Sequence, residues 1–104
     1  MTPALHLPDT VAAAALGRLL TVARSNTGQS YTVANFLLAW WNAKDCGGWN
    51  LADLWGIDSA IADDMVAVVG FISRNSEYPD AYGLGGEFEA LVAQWRPHLC
   101  AGPE

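Results

Sequence analysis

The sequence predicts an all-α fold, a compact bundle of four longer helices and one short helix with no sheet. Three observations predict it. Apolar residues recur every three to four positions in four segments, clusters of glycine, proline and asparagine divide those segments, and no stretch alternates apolar with polar residues as a half-buried strand would. With 104 residues and no linker or repeat, the chain suits one helical domain, expected over residues 9–97 with 1–8 and 98–104 as loose ends.

The first helix opens at Asp9 and Thr10, either of which can cap it, and carries Val11, Ala15, Leu16, Leu19, Leu20, Val22 and Ala23 on one face. It should end near Ser25, before Asn26, Thr27 and Gly28. The second carries Val33, Phe36, Leu37, Trp40 and Trp41 at the same spacing and stops where residues 42–50, with Gly47 and Gly48, break the period into a loop. Asn50 then caps a short helix in which Leu51, Leu54 and Trp55 share a face, with Gly56 available as a left-handed terminator. Asp58 opens a longer helix with Ile61, Met65, Val68, Val69 and Ile72 inward. Residues 75–86, rich in glycine and holding Pro79, read as the longest loop. The last helix starts at Glu87, carries Phe88, Leu91, Val92 and Trp95, and stops at Pro97, because the residue before a proline leaves the α region.

Composition narrows the class of protein. Hydrophobic residues make up 52% of the chain and charged residues 15%, which excludes intrinsic disorder. No apolar run reaches the roughly 20 residues of a membrane span, and the first residues lack a basic leader, so a cytoplasmic, membrane-free protein is expected. Cys46 and Cys100 are too few and too far apart for a disulfide framework or a zinc module and are expected reduced. His6 and His98, near opposite ends, are expected to be solvated rather than held for acid–base work.

The net charge of −6 is unevenly spread. Residues 1–44 hold Asp9 against Arg18, Arg24 and Lys44, whereas residues 45–95 hold nine carboxylates against Arg74 alone. Such a segment repels a phosphate backbone and attracts a basic protein surface, so a protein partner is expected and direct nucleic-acid binding is not. The plainer role of the same acids is solubility and stabilisation of helix N-termini.

No P-loop, dinucleotide fingerprint, metalloprotease helix, nucleophile elbow or paired CxxC occurs. Gly83, Gly85 and Gly86 precede a helix and could present N–H groups to an anion, but Glu87 and Glu89 put the wrong charge there. Asp63 and Asp64 are adjacent and diverge by about 100° on a helix, which makes a poor catalytic pair. Asp45, Cys46, Asp53 and Asp58 match neither calcium nor zinc spacing. The expectation is no catalytic residue, no cofactor and no metal.

Five tryptophans are the oddest feature. Trp40, Trp55 and Trp95 are expected in the core, while Trp41 and Trp49 are open between core and surface, since consecutive helical residues cannot both face one small core. Tryptophan and tyrosine are over-represented at interface hot spots. The partner-binding face is therefore expected to combine Asp63, Asp64, Glu87 and Glu89 with the loop residues Trp49, Tyr78 and Tyr82.

The runs TGQSYTVANFLLAWWNAKDCGGWNLADLWGIDSAIADDMVAVVGFI and YGLGGEFEALVAQWRP resemble a family of small uncharacterised proteins carried on genomic islands and other mobile elements of proteobacteria, a resemblance over roughly residues 11–97. It transfers no residue role. What it implies is a non-enzymatic inhibitor of host defence, an anti-CRISPR protein among the candidates, whose acids would meet the basic channel of a Cas subunit by stoichiometric binding. The alternative is an accessory or regulatory protein of a mobile element, monomeric or assembled as a homodimer through helix faces. An enzyme using Asp or Cys46 is the third class, disfavoured because neither a base nor an orienting partner can be named.

Overall fold

Side-chain caps fix the starts of the first two helices and of the first 3₁₀ turn. In the computed structural model, which describes residues 7–100, the Asp9 carboxylate accepts hydrogen bonds from the backbone N–H groups of Val11 and Ala12 at 3.0 and 3.1 Å, and α1 runs Thr10–Arg24. Its buried stripe is Ala12, Ala15, Leu16, Leu19, Leu20 and Ala23, while Val11 lies off that stripe and is exposed. The expected loose ends at 1–6 and 101–104, and His6, lie outside the described residues. Leu7 is packed into the core, so the folded unit begins before the expected Asp9.

Thr27 and Ser30 form a reciprocal capping box at the start of α2 (Gly28–Cys46), which satisfies the buried Ser30 hydroxyl. The expected loop over 42–50 is shorter than the sequence suggested. Asn42 leaves the helical region (φ −163°, ψ 75°), but its side-chain oxygen accepts from the Asp45 N–H at 3.2 Å and starts one more turn that ends at Cys46. Gly47, at φ 100°, then stops the helix in a conformation that disfavours any other residue.

Asn50 caps a 3₁₀ turn, Leu51–Gly56, by accepting from the Ala52 N–H at 3.0 Å. Two expectations fail here. At three residues per turn Leu51 and Leu54 eclipse, but Trp55 is rotated about 120° from Leu54 and stands 89% exposed rather than in the core. Gly56 does not take the left-handed conformation, because the turn continues into the extended Ile57 without reversing direction.

Helix α3 (Ser59–Arg74) starts at Asp58, which exchanges two hydrogen bonds with the Gln29 side chain and so fastens the start of α3 to the first turn of α2. Its buried residues are Met65, Val68 and Phe71. Val69, expected inward, is 47% exposed because it lies about 100° around the axis from Val68. Within 75–86 the chain is not a plain loop. A second 3₁₀ turn, Pro79–Tyr82, closes on Gly83 (φ 76°), and α4 (Gly85–Trp95) begins two residues before the expected Glu87. After Arg96 a last turn, α5 (Pro97–Cys100), replaces the loose end expected from residue 98.

Helix α1 packs against α2 and α3, and α4 closes over α2. Arg18 donates two hydrogen bonds to Asp64 at 2.8 and 2.9 Å, joining α1 to α3, and Arg24 reaches Glu87 at 2.8 Å, joining α1 to α4. The Trp95 indole N–H donates to the Ala23 carbonyl at 2.8 Å. One contiguous core results, centred on Leu16, Leu19, Leu37, Phe71, Phe88 and Leu91, with no strand among the described residues. No described helix is long and apolar enough to cross a membrane.

Burial ranks the aromatic residues by their effect on stability. Phe88→Ala should cost about 3–5 kcal/mol in urea unfolding, the usual range for a buried phenylalanine, whereas Trp55→Ala should stay within about 0.5 kcal/mol as a surface change. Comparable losses in the two variants would contradict this packing.

Candidate functional site

The surface beside α2 and α3 carries four linked, mainly apolar depressions, the third lying between α3 and the Leu51–Gly56 turn and the fourth on that turn alone. The first, about 270 Å³, lies between Trp40, Ile72 and Tyr78. The second, about 230 Å³, shares Trp40 and Ile72 with it and adds Phe36, Ala39, Trp49 and Val69. The third, about 120 Å³, shares Trp49 and Val69 and adds Leu51, Leu54, Met65 and Val66. The fourth, an open concavity of about 550 Å³, wraps the 3₁₀ turn from Asn50 to Trp55. Because neighbours share lining residues, the four form one groove from Tyr78 to Trp55. The three along the helices are smaller than the usual small-molecule site of roughly 300–1,000 Å³ and suit single side chains.

Local sequence explains why this face stays uncovered. Val66, Val68 and Val69 fall within four residues, more than the buried stripe of one helix can hold, so Val68 goes inward and the other two face out. Trp49, placed after Gly47 and Gly48, stacks edge-on against Phe36 with ring centroids 5.0 Å apart and forms the divide between the second and third depressions. Its indole N–H is buried with no acceptor among the described residues. An unmade hydrogen bond of this kind costs about 1–3 kcal/mol, so Trp49 is held by packing alone.

The expected partner-binding residues do not share one surface. Trp49 and Tyr78 line the groove, and the exposed Asp63 stands one helical turn before Val66. Asp64, its side chain only 16% exposed, is taken up by Arg18. Glu87 is taken up by Arg24, and the exposed Glu89 is on α4, which contributes nothing to the groove lining. Tyr82 is a core residue, packed against Phe71 at 5.5 Å, because the turn begun by Pro79 folds it inward. Trp40 and Trp41 are both half-buried, donating to the Glu77 carbonyl at 3.1 Å and the Asp80 carboxylate at 2.7 Å. Leu51, Trp55, Val66 and Val69 were not anticipated as surface residues. The crowding of valines was the available signal.

The chemistry-bearing side chains lie elsewhere. Cys46 is a buried free thiol whose pKa is raised, burial outweighing the lowering influence of Arg96. That favours the neutral thiol and not a nucleophile. Arg96 donates to the carbonyls of Cys46 and Trp95, each at 3.0 Å, and to the Asn35 side-chain oxygen at 2.6 Å, with its guanidinium 5.9 Å from the Tyr31 ring. Sequence reasoning missed this junction, whose partners are scattered along the chain. Among the described residues no group of three or more His, Cys, Asp or Glu side chains is placed to hold a metal ion.

A pH dependence follows from the buried acids. Burial raises the pKa of the Cys46 thiol and, with help from Glu77, that of the Tyr82 phenol. In both cases folding favours the protonated form. The thiol's contribution is therefore intact below the ordinary thiol pKa and is lost as pH rises through its raised value in the folded chain. Urea unfolding across this alkaline range should show stability falling, with a shallower fall in Cys46→Ala. A variant with an unchanged slope would contradict the assignment to Cys46.

No curated protein and no solved structure matches the chain. A family model matches residues 13–96, a span that takes in the whole groove, the Arg96 junction and all of α2, α3 and α4. The chain therefore belongs to DUF7673, a family of unknown function.

Proposed function

We propose that this protein acts without catalysis, by seating part of another protein in the groove beside α2 and α3. The observation that carries the reading is the concentration of exposed apolar side chains. Among the described residues eight large hydrophobic side chains are exposed, and Leu51, Trp55, Val66, Val69 and Tyr78 all line this groove. Scattered exposure would need no explanation, but a contiguous patch is the ordinary mark of an interaction surface. Burying it recovers about 25 cal/mol per Å² of apolar area, and an exposed tryptophan at one end supplies a rigid anchor of the hot-spot type.

The resemblance to genomic-island proteins gives the proposal a specific form, stoichiometric inhibition of a CRISPR-Cas system by capture of a subunit with a basic surface. The nine carboxylates against one arginine in residues 45–95 support it, since they would draw such a surface in and fix its orientation. Asp64 and Glu87 contribute to that field while holding the helices together.

The test is a pull-down from the host paired with a CRISPR interference assay, comparing the unaltered chain with Val69→Glu and Trp55→Ala. Both positions are solvent-exposed, so circular dichroism and melting should be unchanged while capture and inhibition fall by about tenfold or more. Full capture by both folded variants would reject the groove as the binding surface.

A further inference from the structure

Resting on the groove reading above, we infer that the occupant is an amphipathic helix with basic flanks, supplied by a different protein rather than by a second copy of this chain. Geometry points to a helix. Val66, Val69 and Ile72 recur every three residues along one wall, and Phe36, Ala39 and Trp40 recur at three and four along the other. Two such ridges leave a channel into which the ridge of a third helix fits. The depressions divided by Trp40 and Trp49 follow one another along that channel, as the i, i+3 or i+4, and i+7 side chains of one helix would require. An added strand would need an open sheet edge, and no strand occurs among the described residues.

Charge selects the flanks. Glu77 is the charged side chain lining the groove, Asp63 stands one turn before Val66, and Asp53 sits within the 3₁₀ turn beside Leu54. No lysine or arginine lines any of the four depressions. Arg18, Arg24 and Arg74 face carboxylates, Arg96 is held by Asn35, Trp95 and Cys46, and Lys44 is exposed in the last turn of α2 without lining a depression. An apolar floor with acids at its margin is complementary to leucine-like side chains flanked by lysine or arginine. A second copy would bring its own Asp53, Asp63 and Glu77 against these acids, with a net charge of −6 on each side.

The test uses the full chain and two synthetic amphipathic helices that share one leucine stripe, one flanked by lysine and the other by glutamate, with affinity read by fluorescence anisotropy. The lysine peptide should bind about tenfold or more tightly over the glutamate peptide, and the advantage should shrink as salt is added. The double variant Asp63→Lys with Glu77→Lys should remove the preference, and Val69→Glu should abolish binding. Equal binding of both peptides, abolished by Val69→Glu, would overturn the basic flanks and leave the groove standing. Lysine-peptide binding that Val69→Glu leaves intact would overturn the groove reading itself. Failure of both peptides to bind would overturn the helical occupant, and a dimer in sedimentation that Val69→Glu dissolves would replace it with a second copy.

Discussion

Phe88 is the side chain on which the arrangement of the helices turns. Its ring is wholly buried and lies 5.9 Å from Trp40 and 6.4 Å from Trp41, so one α4 residue fills the space between two consecutive tryptophans of α2. Neighbours on a helix diverge by about 100° and cannot both enter a small core, but both can lean on a ring placed between them. Each indole N–H then finds an acceptor on the segment that precedes α4, the Glu77 carbonyl for one and the Asp80 carboxylate for the other. The last part of α2, the turn at Pro79–Tyr82 and the start of α4 are thereby set as a unit. Because Trp40 is held this way, its remaining surface is presented to the groove.

Much of the fold was legible because its boundaries are chemical. Asp9 and Asn50 announce helix starts through side chains that accept from the backbone, and Pro97 closes α4 because the residue before a proline disfavours the α region, whereas the Thr27 cap stood in a stretch that read only as a break. The break at Asn42 was not legible as a restart, since the same asparagine composition serves a loop or an internal cap and only the Asp45 N–H decides. Trp55 was misplaced because a helical period of 3.6 was assumed where the chain makes three residues per turn.

The site was less legible than the fold. Acids read as a single face are separated by pairings that span long stretches of sequence, Arg18 with Asp64 and Arg24 with Glu87, and no local pattern encodes them. Six residues along α1 turn the axis by about 240°, so these two arginines hold α3 and α4 on different sides of it. Tyr82 sat in a glycine-rich stretch that looked like surface, yet Pro79 and Gly83 fold it against Phe71. What the sequence did carry was a surplus. Three valines in four residues and tryptophans on both sides of a double glycine exceed what one helix face can bury, and the excess became the groove.

The proposed function implies a division of labour in which α1, α4 and the Phe88 junction stabilise the chain while the outer faces of α2 and α3 are left for a partner. Methyl NMR of the full chain, free and with its captured partner, tests that division most directly. The largest shifts should fall on Leu51, Leu54, Val66, Val69 and Ile72, with the methyls of Leu16, Leu19 and Leu91 nearly unmoved. Perturbations centred on the surface of α1 or α4, with the groove methyls unchanged, would contradict it.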